Sequence, residues 1–372
     1  MATYRSLLLP AVLSLLALSL SACGDGDQGD VSRSPESSGL SRTFAMGLSS
    51  LPPELTDESY GQTFELAAGA GEVILIRRTP PWGELLTDSD FPSDGTVETT
   101  QREIALAEEH GLNVFFAIDA TDVSEDTFQL ADLPDDLLGA TYADDAVRQA
   151  LITYAGYVAV NYKPAYLALG VDVNRYQVQN PDDFEQFVTL YHEGYEAIKE
   201  LSPETLVFPT FQMEELQGLL PKEDPHQPQW QLINRFTPRN DLLAVSTYPG
   251  LAFADPEQIP SDYYTQLSLF TDLPVAITEI GYSSEAMDGN GDEATESQQA
   301  AFLRRALADA DELEMPLVVW FASQDPIFTG KSPLDLVQHI GLKRQDGTAK
   351  PAWSVWIGAA RRPLAEQGAR AP

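Results

Sequence analysis

The sequence has a single cysteine, Cys23, among its 372 residues. One cysteine cannot form an intramolecular disulfide, so a disulfide framework is excluded as a source of stability. Histidine is also scarce, and the four histidines stand at positions 110, 192, 226 and 339 with no H-E-x-x-H spacing. Because zinc sites in enzymes depend on such clustered ligands, no zinc centre is expected.

Glycine-rich phosphate-binding motifs are absent as well. Neither G-x-G-x-x-G nor G-x-x-x-x-G-K-[ST] occurs, and the G-x-S-x-G turn that presents a catalytic serine is missing too. Dehydrogenase, nucleotidase and serine hydrolase chemistry therefore has no basis in the sequence, and no cofactor is expected.

Basic residues are few, since 22 Lys and Arg stand against 57 Asp and Glu, and the formal net charge is −35. Such a surface disfavours nucleic acid and acidic lipid headgroups as partners. A solvated acidic surface explains the charge most simply, and a cationic partner is the alternative.

The only long apolar run extends from Leu7 to Leu20, behind Arg5, and is shorter than a membrane-spanning helix requires. It predicts a signal peptide over 1–22. The run ends in Leu-Ser-Ala-Cys, which resembles the lipobox of bacterial lipoproteins and implies that Cys23 carries a lipid. An ordinary signal peptide followed by an incidental cysteine is the alternative.

The segment after Cys23 is small, polar and acidic as far as Gly39, which predicts a flexible tether over 23–40. Gly24 follows the cysteine, so the acidic signal for inner-membrane retention is not in its usual place. We therefore expect a cell-envelope protein anchored in the outer membrane or at the cell surface. The globular domain is predicted over 41–360, and a polar tail over 361–372.

Between tether and tail, short apolar runs alternate with longer amphipathic segments such as 183–201 and 296–313. The eight predicted strands are 44–50, 73–78, 113–119, 166–173, 205–211, 241–248, 275–282 and 317–323. Near-continuous apolar strands are typical of a parallel sheet buried on both faces. Without a glycine-rich nucleotide motif, eight such units predict a closed (β/α)8 TIM barrel, expected as a monomer, in preference to a doubly wound sheet.

Active sites in such barrels lie at the carboxyl ends of the strands. Glu279 is the clearest candidate there, because its charge interrupts the apolar strand VAITEIGY at 275–282. A salt bridge to a barrel arginine is the alternative explanation. The other polar or aromatic candidates at strand ends are Arg77 or Arg78, Asp119, Asp172 with Asn174, Tyr248 and Trp320.

Four segments together resemble the clan A retaining glycoside hydrolases: ITEIGY at 277–282, STYP at 246–249, Trp320, and the closing residues of 341–353. The layout is similar to that of the family 53 endo-galactanases. The resemblance implies that Glu279 is the nucleophile and that the acid/base follows strand four. There the clan pattern is Gly-Asn-Glu-x-Asn, and this chain has Gly-Val-Asp-Val-Asn at 170–174.

This departure makes Asp172 the candidate acid/base and puts Val171 where the clan has an asparagine. Retaining enzymes hold their two carboxyl groups about 5 to 5.5 Å apart, and an aspartate is one methylene shorter than a glutamate. Unless the backbone moves, the gap widens. Val171 also cannot supply the hydrogen bond that the asparagine gives to the sugar 2-hydroxyl.

The resemblance further implies a set of substrate-binding residues: Tyr248, Trp320, Asn174, Arg77 and Trp82. Tyr248 would hydrogen-bond the nucleophile, and Trp320 would form the floor of the sugar site. Packing within the barrel is the alternative for both, as loop packing is for Trp82. Only one of the adjacent pair Arg77 and Arg78 can point inward.

A calcium loop is a weaker expectation. Asp288, Asn290 and Asp292 have the D-x-N-x-D spacing, but Glu293 replaces the required glycine and Gln299 replaces the bidentate glutamate. We therefore predict no metal.

The sequence favours hydrolysis of a β-linked oligo- or polysaccharide by a two-carboxylate retaining mechanism. Two other classes stay open: a catalytically degenerate lipoprotein that binds glycans, suggested by Val171 and Asp172, and a purely structural envelope protein.

Overall fold

The computed structural model describes residues 40–85, 96–122, 129–221, 225–285, 295–327 and 338–365. The predicted signal peptide, Cys23, nearly all of the tether and the first seven residues of the candidate calcium loop lie outside these ranges. Among the residues inside them, none of the helices combines the length and hydropathy needed to cross a bilayer.

Parallel strands occupy eight positions around a barrel. They are β1 (Ala45–Ser49), β2 (Val73–Arg78), β3 (Asn113–Ile118), β4 (Tyr166–Leu169), β5 (Leu206–Phe208 and Thr210–Gln212), β6 (Leu243–Thr247), β7 (Val275–Ile280) and β8 (Leu317–Trp320). Each pairs with its neighbour in chain order, and β1 pairs with β8. A short antiparallel pair of two residues each, Thr121–Asp122 with Gln129–Leu130, follows β3.

The fifth position is split at Pro209, which has no N–H to donate to a neighbouring strand. The segment Leu206–Phe208 pairs with β4, and Thr210–Gln212 pairs with β6. The two halves of β5 are joined covalently by Pro209, and this link closes the ring of strands. The predicted (β/α)8 barrel is confirmed.

Helices surround the strands. The α-helices are α1 (Asp57–Ala68), α2 (Trp82–Leu85), α3 (Thr96–His110), α4 (Asp145–Asn161), α5 (Val173–Gln179), α6 (Pro181–Leu201), α7 (Met213–Leu216), α8 (Glu296–Glu312) and α9 (Pro351–Ala360). The 3₁₀ segments are Asp135–Leu137, Trp230–Phe236, Pro249–Leu251, Pro256–Gln258 and Thr265–Leu269.

In the residues that the structure describes, no long helix follows β5 or β6, although one was expected after each. The four-residue α7 and one 3₁₀ segment follow β5, and three 3₁₀ segments follow β6. Prolines recur in both stretches, at 221, 225, 228 and 238 and at 249, 256 and 260. Because proline breaks the i→i−4 ladder, these stretches form short turns where a continuous helix was predicted.

The prediction of strand four over 166–173 is wrong at its end. Gly170 has a φ of +107° and turns the chain after Leu169. A Cβ at this position would lie 2.5 Å from the Phe187 ring, so the turn requires glycine. Helix α5 then starts at Val173, which leaves Asp172 between the strand and the helix.

Side chains on the strands alternate between two apolar cores. On β2, Val73 and Leu75 pack in the barrel interior, whereas Ile74 and Ile76 pack against the helices. The alternation continues to the end of the strand, so Arg77 falls on the interior side and Arg78 on the helix side. Arg77 therefore points into the barrel interior at the carboxyl end of β2.

Candidate active site

A break in the strand register brings Glu279 to the interior. Ile277 pairs with Val245 of β6, but Glu279 pairs with the next residue, Ser246, so one residue of β7 is bulged out between them. Such bulges redirect a side chain and are common beside active sites. Without it, regular alternation after the interior residue Ala276 would not put Glu279 on the interior side.

Glu279 is 4% exposed and is held by two neighbours. Arg77 donates from Nη1 to Oε1 at 3.0 Å and to Oε2 at 3.3 Å. The Tyr248 hydroxyl donates to Oε2 at 3.0 Å. The contact expected for Tyr248 is therefore present, and the buried charge has the partners that it needs.

Arg77 reaches a second carboxylate on its other side. Its Nε and Nη2 lie 2.8 and 2.6 Å from Oδ2 of Asp119, which follows β3. Arg78 points the opposite way and pairs with Glu103 of α3. Of the adjacent arginines, Arg77 is the one at the site.

Asp172 lies at the mouth of the barrel in a left-handed conformation, with φ 49° and ψ 43°. Its N–H donates to Thr210 Oγ1 at 2.9 Å, and its Oδ1 accepts the Ser246 hydroxyl at 2.6 Å. Left-handed backbone at a residue other than glycine is uncommon and concentrates at functional sites. The conformation is fixed by hydrogen bonds from the two following strands.

Ser246 relates the two candidate catalytic carboxylates. Its Cα is the register partner of Glu279, and its hydroxyl binds Asp172. Neighbouring strands lie about 4.8 Å apart, so both residues lie close to the end of β6, and the charge of Asp172 acts on Glu279.

Among the described residues, the charges at the site do not balance. Three carboxylates, Asp119, Asp172 and Glu279, lie around one guanidinium, that of Arg77. Burial raises the pKa of Glu279 to about 7, with Asp172 and Asp119 adding to the effect and Arg77 and Tyr248 opposing it. Burial also raises the pKa of Tyr248 well above its ordinary value, so that its phenol stays a hydrogen-bond donor.

An open cleft begins at Arg77 and has a volume of about 570 Å³. Its lining comprises Arg78, Thr79, Pro80, Pro81, Gly83, Glu84, Asp132 and the almost wholly buried Trp82. Clefts of roughly 300 to 1,000 Å³ accommodate small ligands. Arg77 is the residue that lines the cleft and also contacts the carboxylate cluster.

The expectation that Trp320 forms the floor of a sugar site is wrong. Trp320 is fully buried on the helix side of β8, and its indole N–H donates to the Ile340 carbonyl at 2.8 Å. A ring without an exposed face cannot stack on a sugar. Phe321, the next residue, is partly exposed and meets Tyr248 edge to face with centroids 6.3 Å apart.

Asn174 and Trp82 were also predicted to bind substrate, and neither is placed to do so. Asn174 is fully buried in α5, where its amide donates to the Gln212 carbonyl and accepts the Gln212 N–H. Trp82 is 1% exposed, and its indole donates to the Ala131 carbonyl. Both are packing residues, as the alternative explanation for Trp82 had it.

Val171 is likewise buried, at 5% exposure, among the apolar residues of the barrel interior. It offers no donor to a ligand. Ser246, Thr210 and Phe321 are the site residues that the sequence analysis missed, although the alternation along β6 and β8 puts Ser246 and Phe321 inside.

Metal ligands do not gather in the described ranges, where no group of three His, Cys, Asp or Glu side chains could hold an ion. Gln299, the last position of the candidate calcium loop, is buried in α8 and donates to the Tyr282 carbonyl at 2.9 Å. Its amide nitrogen is committed to main-chain carbonyls. The acidic positions of that loop, 288–292, lie outside the described residues.

The correction at Asn174 leads to a stability prediction. Replacing Asn174 with alanine leaves the buried N–H of Gln212 without a partner and removes one donor from its carbonyl, which costs about 1 to 3 kcal/mol in the free energy of unfolding. Urea denaturation measures this loss. Asn161→Ala is the matched control, because Asn161 makes a similar bond to the Tyr157 carbonyl on an exposed helix face. Equal stability of the two variants would contradict the structural role of Asn174.

No family model matches the sequence, and no curated protein matches it either. Solved structures do match the fold. An exo-β-1,4-mannosidase from Opitutaceae bacterium strain TAV5 superposes with a TM-score of 0.64 at 16% identity, over 86% of this chain and 60% of the other. The chain thus spans less than two thirds of that enzyme.

Two more matches cover most of the other protein. A GH5_18 protein from Streptomyces cattleya, in complex with GlcNAc, gives a TM-score of 0.64 at 18% identity, over 89% of this chain and 83% of the other. Xylanase 10B from Thermotoga maritima gives 0.56 at 11% identity, over 86% and 94%. The shared feature is the barrel fold.

Proposed function

We propose that this chain hydrolyses β-linked oligo- or polysaccharides by a retaining mechanism, with Glu279 as the nucleophile and Asp172 as the acid/base. One observation carries the proposal. A buried carboxylate at the carboxyl end of β7 is bound by both Arg77 and Tyr248, while the charge of a second carboxylate, which Ser246 hydrogen-bonds, acts on it.

In the first step, Glu279 attacks the anomeric carbon, and Asp172 gives its proton to the departing glycosidic oxygen. Arg77 and the Tyr248 hydroxyl hold the attacking carboxylate in place and favour its ionised form. The bond from the sugar to the leaving oxygen breaks as the bond to Glu279 forms. A covalent glycosyl enzyme results.

In the second step, Asp172, now ionised, removes a proton from water, and the water oxygen attacks the anomeric carbon. The Ser246 hydroxyl on Oδ1 steadies the Asp172 carboxylate through both steps. Two inversions at one carbon leave the product with the configuration of the substrate.

The fold neighbours suggest which sugars to test first. One is named an exo-β-1,4-mannosidase, another was crystallised with Manβ1-4GlcNAc, and a third is a xylanase. β-Mannosides, β-mannosyl-GlcNAc and β-xylans therefore head the substrate panel. Because of the similarity in layout to family 53, β-galactans join them.

We further propose that the enzyme acts as a monomer on the cell envelope. The lipobox-like Leu-Ser-Ala-Cys at 20–23 and the polar segment after it support a lipid on Cys23 and a tether to the outer membrane or cell surface. Mass spectrometry of the mature protein would show a diacylglyceryl-modified N-terminal Cys23 if the proposal is right.

The function is tested with the substrate panel and a 2-fluoro glycosyl fluoride of each active sugar. We expect turnover of at least one β-glycoside with retained configuration, and a stable adduct on the peptide that contains Glu279. An adduct elsewhere, or an inverted product, would contradict the mechanism. Glycan binding without turnover would instead identify a carbohydrate-binding barrel, and no binding at all a structural protein.

A further inference from the structure

The proposed mechanism uses Arg77 but has no task for Asp119, although Asp119 lies inside the same cluster. Its side chain is 16% exposed, and its Oδ2 takes both Nε and Nη2 of Arg77. Among the described residues, the other oxygen has only weak donors, the Thr121 amide at 3.4 Å and the Thr121 hydroxyl at 3.3 Å. The main partner of Asp119 is therefore Arg77.

The geometry of Arg77 shows what this pairing does to Glu279. A guanidinium can give a carboxylate two parallel N–H bonds from one edge, which is its strongest form of pairing. Here the edge made by Nε and Nη2 is committed to Asp119, and only Nη1 contacts Glu279. Glu279 is thus contacted by a single nitrogen of a shared cation.

We propose that Asp119 is a positioning residue for Glu279 that acts through Arg77. By holding the Nε and Nη2 edge of the guanidinium, Asp119 leaves only Nη1 for Glu279 and limits how much positive charge reaches it. A nucleophile held in this way is fixed in place but incompletely neutralised, and so remains able to form a bond to the sugar. The catalytic consequence rests on the proposed function, whereas the effect on Glu279 itself does not.

The direction of the effect follows from the groups that act on Glu279 across the barrel. These are Arg77 on β2, Asp119 after β3, Asp172 after β4 and Tyr248 after β6. Removing the charge of Asp119 takes away one repulsion and releases Arg77 for Glu279. Both changes favour the ionised form, so they lower the pKa of Glu279 from about 7.

The test is a titration of the Glu279 carboxyl by NMR in protein labelled with ¹³C at glutamate side-chain carboxyls. The Glu279 signal is the one missing from the Glu279→Gln variant. In Asp119→Asn we expect the midpoint to fall by about one pH unit. In Asp119→Glu, which keeps the charge, it stays close to the wild-type value. Asp119→Ser replaces the asparagine variant if that protein does not fold.

The chain offers a matched control one residue along. Arg78 and Glu103 form a similar pair on the helix side of the same strand. Glu103→Gln breaks that pair and is expected to leave the Glu279 midpoint unchanged. A purely structural role for Asp119 predicts no shift in Asp119→Asn either, and that result would overturn the proposal. An upward shift would overturn it too, because Arg77 would then need Asp119 to reach Glu279 at all.

Activity gives a second readout that can fail separately. If the chain is a retaining hydrolase, the acidic limb of kcat/KM moves with the Glu279 midpoint. One pH unit below the wild-type midpoint, Asp119→Asn then retains about fivefold more of its own plateau value than the wild type does. A shifted titration in a protein with no turnover would refute the proposed function and leave the role of Asp119 intact. If the Glu279 midpoint shifts in an active enzyme but the acidic limb of kcat/KM does not move, the catalytic part of the inference is refuted.

Discussion

Replacing Glu279 with glutamine is expected to lower kcat/KM by roughly four orders of magnitude or more, because the amide cannot form the glycosyl enzyme. The substitution keeps the shape of the side chain, so the bulge in β7 and the contact to Tyr248 can persist. Initial rates on the best substrate of the panel measure the loss. Circular dichroism and thermal melting show whether the barrel is intact.

Small nucleophiles distinguish a lost nucleophile from a damaged site. In Glu279→Ala, azide can enter the vacated space and attack the same face of the sugar. The expected product is the glycosyl azide of inverted configuration, identified by NMR. Glu103→Gln, which removes a buried carboxylate on the helix side of the barrel, should keep near-wild-type kcat/KM. If Glu279→Gln and Glu103→Gln lowered kcat/KM equally, Glu279 would matter only for folding.

Much of this site could be predicted because strands obey a period of two. Arg77 and Tyr248 stand at strand ends, and both contact Glu279, Tyr248 as the resemblance implied and Arg77 as the alternative explanation of a barrel salt bridge had it. The bulge that redirects Glu279 could not be predicted, since it depends on how β7 pairs with β6 and not on the residues of β7 alone. The left-handed turn at Asp172 depends in the same way on hydrogen-bond partners in two other strands, the acceptor Thr210 and the donor Ser246.

The mistake at Trp320 has a different origin. Leu317 and Val319 pack inside the barrel, so alternation alone puts Trp320 outside and Phe321 inside. The prediction followed a family resemblance where the periodicity gave the better answer. Asn174 was misassigned for a related reason, because strand four was extended past Gly170 into what is helix α5.

The second large effect is expected at Asp172. Removing a general acid/base typically lowers the rate by about 10² to 10⁴, and Asp172→Ala should do so on natural glycosides. In a dinitrophenyl glycoside the leaving dinitrophenolate needs no proton, so Asp172→Ala should hardly change the rate of the glycosylation step on this substrate. Measuring kcat/KM on both substrates gives the comparison. Azide should accelerate the variant by attacking the glycosyl enzyme, which yields a glycosyl azide of retained configuration.

We propose that an aspartate can serve as the acid/base in this position although a glutamate would reach further. Asp172 lies beyond the end of β4 in a left-handed backbone conformation. The Ser246 hydroxyl, at the end of β6, donates a hydrogen bond to its Oδ1. Within the described part of the chain, Oδ2 has no hydrogen-bond donor and is left for the glycosidic oxygen. Ser246→Ala should therefore lower kcat/KM on the natural glycoside more than on the dinitrophenyl glycoside, as is expected for Asp172→Ala. Equal losses on both glycosides in Asp172→Ala, without rescue by azide, would exclude Asp172 as the acid/base.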